Sequence, residues 1–95
     1  MPGTIEGKVV AYGTEGNLVT DIPHAQLGAA PRDTSVAIRC DEHETVGLFA
    51  PDHREPEMSL LAILAPSGFL ELTIVGDSAK LMLGVSIGER VIVRW

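Results

Sequence analysis

The sequence predicts an all-β domain, a small barrel-like fold of about seven short strands with one or two short helices. Two observations support this prediction. Short apolar stretches recur along the chain, several with apolar and polar residues in strict alternation, and Gly, Pro, Asn and Asp separate them at close intervals. In addition, the 95 residues suffice for one domain, 1–95, with one hydrophobic core.

In the first half of the chain, turn residues divide the apolar stretches into four strands and a short helix. The stretch "PHAQLGAAPR" has a proline at a helix start and a Gly-Ala-Ala-Pro exit, which predicts one or two helical turns. The stretch "DTSVAIRC" alternates, and the polar turn "DEHE" connects it to a returning strand in a β-hairpin. The predicted strands are 5–12, 17–22, 33–40 and 45–50, and the helical turn lies within 23–32.

The second half begins with a loop, 51–57, which contains two prolines. The run Ser59 to Ala65 is continuously apolar but short, which favours a strand buried on both faces. "FLELTIV" alternates. Asp77 as N-cap and Gly84 as stop then predict a helix of about two turns before the final strand, "ERVIVRW". The predicted core consists of Val36, Ile38, Leu70, Leu72, Ile74, Val91 and Val93.

The charge balance limits the classes of partner. The net charge is −6, with 13 acidic and 7 basic residues, and no cluster of Lys and Arg is present. We therefore expect neither nucleic acid nor an anionic membrane as a partner. Cys40 is the single cysteine, the first residues lack a signal-peptide pattern, and no apolar stretch reaches the roughly 20 residues of a membrane span. These features predict a soluble cytoplasmic protein.

Catalytic and metal-binding patterns are weak. A Ser/His/Asp set can be assembled from Ser67, His53 and Asp77, but triads are recognised by geometry, and no motif places these three together. The Cys-x-x-His spacing at the hairpin turn is only half of a zinc site, and a solvated turn explains it equally well. We therefore predict no catalytic site and no metal site. The residues nearest to a zinc pattern are Cys40, His43, Glu44, Asp52 and His53.

Two turns are candidate binding elements. Ser67-Gly68, between two strands, can leave backbone N–H groups free for an anion, although Ser and Gly are also favoured in hairpin turns for conformational reasons. Gly16-Asn17 offers the Asn17 amide, but Asn is equally suited to the turn itself. The sequence thus leaves open whether these turns bind a ligand or only reverse the chain.

Two long segments, "EGKVVAYGTEGNLVTDIP" and "SGFLELTIVGDSAKLMLGVSIGERVIV", resemble the start and the end of the C-terminal domain of the S-adenosylmethionine hydroxide adenosyltransferases. That family also contains fluorinases and chlorinases. The shared features include Gly-Asn before an apolar pair, and the pattern Ser-x-Gly-x-Leu-Glu. The resemblance implies a small β-barrel. It also implies that Asn17 matches the Asn that contacts the amino-acid end of bound S-adenosylmethionine.

The departures from the family pattern affect the site. The large N-terminal domain, with a key Asp, has no counterpart in the sequence. The Asp expected before Asn17 is replaced by Tyr12 or Gly13. Ser67 stands where some members hold an Arg that grips the substrate carboxylate. The adenine-stacking aromatic is expected near 51–53, where the sequence has Pro51, the charged Asp52 and His53.

The resemblance and its departures together predict a non-catalytic, stand-alone module with a structural or oligomerising role. Weak binding of S-adenosylmethionine or adenosine at Asn17, Ser67 and Gly68 is retained in this interpretation. The alternative is one half of a split S-adenosylmethionine hydrolase, completed by a separate N-terminal-like chain. Because the family enzymes are trimers and the strand Leu60 to Leu64 is strongly apolar, we also expect a homo-oligomer, most simply a trimer.

Overall fold

Eight strands form one sheet in residues 3–95, the part of the chain that this computed structural model describes. A 3₁₀ helix, His24–Leu27, and an α-helix accompany them. The all-β prediction is confirmed, with one strand more than expected. The elements are β1 Thr4–Tyr12, β2 Leu18–Pro23, β3 Ala37–Cys40, β4 His43–Val46, β5 Leu48–Phe49, β6 Leu60–Leu64, β7 Phe69–Ile74, α1 Ala79–Leu83 and β8 Arg90–Arg94.

The sheet curls into a nearly closed barrel because its two outermost strands are consecutive in the chain. The strand order is β4-β3-β8-β1-β2-β7-β6-β5, and only Gly47 separates β4 from β5. Gly47 has a φ of 86°, in the left-handed region that favours glycine. The chain bends at Gly47, so β4 pairs with β3 whereas β5 pairs in parallel with β6. The Thr45 hydroxyl also donates to the Leu60 carbonyl at 2.7 Å. The single strand predicted for 45–50 is therefore two strands.

The core lies inside this barrel. All seven core residues predicted from alternation are at most 6% exposed, which confirms those positions. Thr20 is buried among them, and its hydroxyl donates to the Leu70 carbonyl at 2.6 Å and accepts from the Ile22 amide, so its polar atom is satisfied. The further buried apolar residues of this cluster are Val9, Leu18, Ile22, Leu27, Ala30, Cys40, Leu48, Ala62, Ala79 and Val85.

Strand β6 is buried on both faces at its centre, where the adjacent residues Leu61 and Ala62 point to opposite faces and are both buried, while Leu60, Ile63 and Leu64 are partly buried. One local prediction was wrong. The N-cap of α1 is Ser78, whose hydroxyl accepts from the Leu81 amide at 3.3 Å, whereas the Asp77 carboxylate accepts from the Ser78 amide. The helix is five residues long.

Other helical predictions are confirmed. The 3₁₀ helix His24–Leu27 lies inside the predicted stretch 23–32, and Gly84 ends α1 in the left-handed conformation. Within residues 3–95, neither helix is long and apolar enough to cross a bilayer.

Candidate functional site

Asn17 and Glu71 lie on the outer face of the barrel because of the pairing between β2 and β7. Leu18 pairs with Leu72 and Val19 pairs with Glu71, and both leucines point into the core. Side chains alternate along a strand, so Glu71 faces outward. Asn17, immediately before β2, occupies the outward position diagonal to Glu71, a separation that side chains of this length span.

The Glu71 carboxylate joins the two turns that the sequence indicated as candidates. The Asn17 side-chain amide donates to Glu71 Oε1, and the Ser67 hydroxyl donates to Glu71 Oε2 at 2.7 Å. Asn17 and Ser67 are therefore brought together through a third residue. Because the acceptor is a carboxylate, both hydrogen bonds are charge-assisted and stronger than bonds between neutral groups.

The turn before β2 is built around Asn17. Gly13 donates its amide to the Asn17 carbonyl at 2.8 Å, and a Cβ at position 13 would lie 2.1 Å from Asn17 Oδ1, so the Asn17 side chain packs over the Gly13 backbone. Gly16 has a φ of 82°, and its carbonyl accepts from the Lys80 amide at 2.7 Å. These contacts hold the turn against the start of α1.

The Gly68 backbone is already hydrogen-bonded. Its amide donates to the Ala65 carbonyl at 3.0 Å, and its carbonyl accepts from the His24 amide at 3.0 Å. Gly68 has a φ of 90°, which explains the glycine. The Gly68 N–H is thus not free for an anion, and the hairpin-turn explanation of Ser67-Gly68 fits better than the anion-binding one.

An open cleft of about 620 Å³ lies beside Asn17 and Glu71 on the outside of the barrel. Apolar residues of β6 and its following turn, including Ile63 and Ala65, form part of its floor. Ser67 and Gly68 are not among the residues that line it, although Ser67 reaches Glu71. The polar lining residues are Glu15, Asn17, His53, Glu71, Thr73 and Asp77.

Sequence reasoning missed Glu15, Glu71 and Thr73 as site residues. Glu71 was visible as the last residue of the Ser-x-Gly-x-Leu-Glu pattern and as an outward position in an alternating strand. A polar residue at such a position usually only faces solvent. Glu15 and Thr73 carried no comparable signal.

The residues considered for a catalytic triad do not form one. His53 and Asp77 line the cleft, but the Ser67 hydroxyl donates to Glu71 instead of to a histidine. His53 Nδ1 accepts from the Glu55 amide at 3.2 Å. The imidazole also packs edge-on against Phe49, with ring centroids 6.4 Å apart and planes at 74°. The cleft therefore has an aromatic ring in the segment 51–53.

The cysteine and the histidine of the β3–β4 hairpin, Cys40 and His43, lie in different environments. Cys40 is buried, and burial, followed by the charges of Glu89 and Asp41, raises the pKa of its thiol to about 11. A zinc ligand must be a thiolate, which this environment disfavours. His43 Nε2 is 3.1 Å from the Leu83 carbonyl at the end of α1. Across residues 3–95, no three His, Cys, Asp or Glu side chains gather into a group that could hold a metal ion.

Comparisons with known proteins agree with this architecture. Among the solved structures that match, two are similar over 93% of the chain: an uncharacterized conserved protein from Thermotoga maritima (TM-score 0.71, 25% identity) and a conserved hypothetical protein from Thermus thermophilus (TM-score 0.68, 22% identity). The chain spans only 35% and 34% of the lengths of those two proteins. No curated protein matches.

A family model gives the assignment. The model described as the SAM hydroxide adenosyltransferase C-terminal domain matches residues 7–92, which extend from β1 into β8 and include the turn of Asn17 and the strand of Glu71. The motifs that carried the resemblance in the sequence lie within this match. The chain therefore belongs to the family of SAM hydroxide adenosyltransferase C-terminal domains.

Proposed function

We propose that this chain is a non-catalytic module of its family that binds an adenosyl ligand, such as S-adenosylmethionine or adenosine, in the cleft beside Asn17 and Glu71. The observation that carries the proposal is the position of Asn17. Its side chain lines a cleft of about 620 Å³, within the range of about 300–1,000 Å³ typical of small-molecule sites. The resemblance assigns the matching Asn to the amino-acid end of the ligand.

The cleft offers suitable chemistry for an adenosyl group. His53 supplies an aromatic ring, and the apolar side chains of Ile63 and Val75 line the same cleft. Asn17 has two amide hydrogens, of which one is given to Glu71, so a second donor and the carbonyl oxygen remain for a ligand. A ligand would thus be hydrogen-bonded to Asn17 at its polar end and would pack its flat face against the ring and the apolar side chains.

Absence of catalysis is part of the proposal. Ser67 is engaged by Glu71, His53 Nδ1 accepts a backbone hydrogen bond, and the thiol of Cys40 is buried away from the cleft. This arrangement lacks a nucleophile paired with a base at the cleft.

Calorimetric titration tests the binding. We expect heat from adenosine and from S-adenosylmethionine at millimolar concentration, and loss of that heat in Asn17→Ala. In a parallel incubation, chromatography should detect no adenosine or methionine released from S-adenosylmethionine. Absence of heat from every adenosyl ligand would refute the binding role, and release of adenosine would refute the non-catalytic role.

A second candidate is one half of a split S-adenosylmethionine hydrolase. The cleft lies on the outer face of the barrel, its rim residues Glu15, Pro51 and Asp77 are exposed, and both solved relatives are about three times as long as this chain. Such a surface suits a second component that covers the ligand. A mixture of this chain with the isolated N-terminal domain of a family enzyme would then release adenosine from S-adenosylmethionine, and neither component alone would do so.

We also propose a homo-oligomer, most simply a trimer, in a reducing compartment such as the cytoplasm. The initial reason was the apolar strand β6, but that strand lies between β5 and β7, and its Leu60 and Leu64 pack against the core. Exposed apolar side chains lie elsewhere and include Leu81, Met82 and Ile87, which are 78%, 50% and 56% exposed. Light scattering that finds only monomer at tens of micromolar would refute the oligomer. The unpaired Cys40 fits a reducing compartment.

A further inference from the structure

We infer that the ligand of the cleft carries a positive charge and has no carboxylate group, as in the decarboxylated analogue of S-adenosylmethionine. This inference rests on the proposed adenosyl-binding function and specifies its ligand class. Two observations support it: the sign of the charges that line the cleft, and the carboxylate to which the Asn17 amide already donates.

The charged side chains that line the cleft are acidic. They are the carboxylates of Glu15, Glu71 and Asp77, and the lining contains neither Lys nor Arg. Arg54, next to His53 in the chain, is not part of the lining. In residues 3–95 the ion pair within 4 Å joins Arg90 to Glu6, so a salt bridge neutralises none of the three cleft carboxylates. The resulting field attracts an ammonium or sulfonium and repels an anion.

The Asn17 amide reinforces this selection. It already donates to a carboxylate, that of Glu71. A ligand carboxylate that approached the remaining amide hydrogen would lie next to the Glu71 carboxylate, with no cation to separate the two negative charges. Like charges this close are mutually unfavourable. A ligand ammonium beside the Glu71 carboxylate would instead be attracted by the negative charge and could donate a hydrogen bond to Glu71 or Glu15.

The other surface features support no competing proposal. The apolar residues on α1 and at Ile87 are exposed, but no contact in the structure indicates what covers them. The buried thiol of Cys40 has no second group that points to a ligand.

The test compares three ligands by calorimetry on the full chain: S-adenosylmethionine, its decarboxylated analogue, and adenosine. We expect the decarboxylated analogue to bind at least about tenfold more tightly than either of the others, and its affinity to fall several-fold between about 50 mM and about 500 mM salt. Glu15→Gln should reduce the preference without disturbing the fold, because Glu15 is exposed. Glu71→Gln should reduce it further. Glu44→Gln, the same change on the exposed face of β4, should leave it unchanged.

Each failure has a distinct meaning. If S-adenosylmethionine binds as tightly as its decarboxylated analogue, the inference is wrong and the adenosyl-binding function stands. If adenosine binds as tightly as the decarboxylated analogue, the positive charge does not contribute to binding and the inference is again wrong. If none of the three ligands binds, the proposed function fails and the inference fails with it.

Discussion

Replacement of Asn17 by alanine separates the structural role of its turn from any role in binding. The substitution removes the hydrogen bond from the Asn17 amide to the Glu71 carboxylate and the packing of the side chain over Gly13. A hydrogen bond to a charged group contributes about 1.5–3 kcal/mol, and one between neutral groups about 0.5–1.5 kcal/mol. Because Asn17 and Glu71 are only half-buried, water replaces part of the loss. We expect the free energy of unfolding to fall by about 0.5–2 kcal/mol.

Urea denaturation measures this change, and a thermal scan offers a second readout. A loss of about 1 kcal/mol lowers Tm by about 4–8 °C in a domain of about 60–100 residues. A double-mutant cycle with Glu71→Ala isolates the contact, and a coupling energy of about 0.5–1.5 kcal/mol is expected if the hydrogen bond is responsible. Glu44→Ala serves as the surface control and should stay within about 0.5 kcal/mol of the wild type. Unchanged stability in Asn17→Ala, with loss of adenosyl binding, would contradict the structural role and leave binding as the reason for this residue.

Three further predictions concern the barrel. Leu72→Ala should cost about 2–5 kcal/mol, because Leu72 is 2% exposed, and an unchanged urea midpoint would contradict its place in the core. Gly47→Ala should cost about 1–2 kcal/mol, because its φ is 86° and a Cβ would lie 3.2 Å from the ring of Phe49; circular-dichroism melts should show no loss for a matched Gly28→Ala variant. Cys40 should resist thiol reagents at about pH 8 until the protein unfolds, and rapid labelling of the folded protein would contradict its burial.

The pH dependence of stability provides a separate check on Cys40. Burial raises the pKa of its thiol from 9.0 to about 11, so the folded state retains a proton that the unfolded state releases. The stabilisation is therefore complete below about pH 9 and is lost as the pH rises from about 9 to about 11. Denaturation series across that interval should show a steeper decline for the wild type than for Cys40→Ala. Equal slopes would indicate that another group controls the alkaline limit.

Alternation predicted the inside of this barrel well because it depends on one local rule. In β7, a residue that faces the core is followed by one that faces outward, so Leu70, Leu72 and Ile74 could be assigned without knowledge of the neighbouring strands. The break at Gly47 could not be predicted in the same way. The run Thr45 to Ala50 reads as one strand, and only the need to bring the two ends of the sheet together selects the left-handed bend.

The candidate site was harder to predict than the core because it depends on register. Asn17 and Ser67 were identified from turn chemistry, yet the residue that connects them, Glu71, lies 54 positions from Asn17. Their contact exists because Val19 pairs with Glu71, and strand pairing of this kind cannot be derived from composition or periodicity. The same limit applies to Glu15, which reaches the cleft only through the fold of its turn.

The Asn17–Glu71 hydrogen bond also affects the free energy of binding of any ligand in the cleft. A ligand that displaced Glu71 from Asn17 would leave a half-buried carboxylate with the Ser67 hydroxyl as its remaining side-chain partner, and would have to offset the lost bond. A ligand that leaves the bond intact and adds a cation beside Glu71 gains attraction without that loss. The structural role of Asn17 and the proposed preference for a cation are therefore compatible. The turn holds the Glu71 carboxylate in place, and a carboxylate held in place before binding costs less to organise around a cationic ligand.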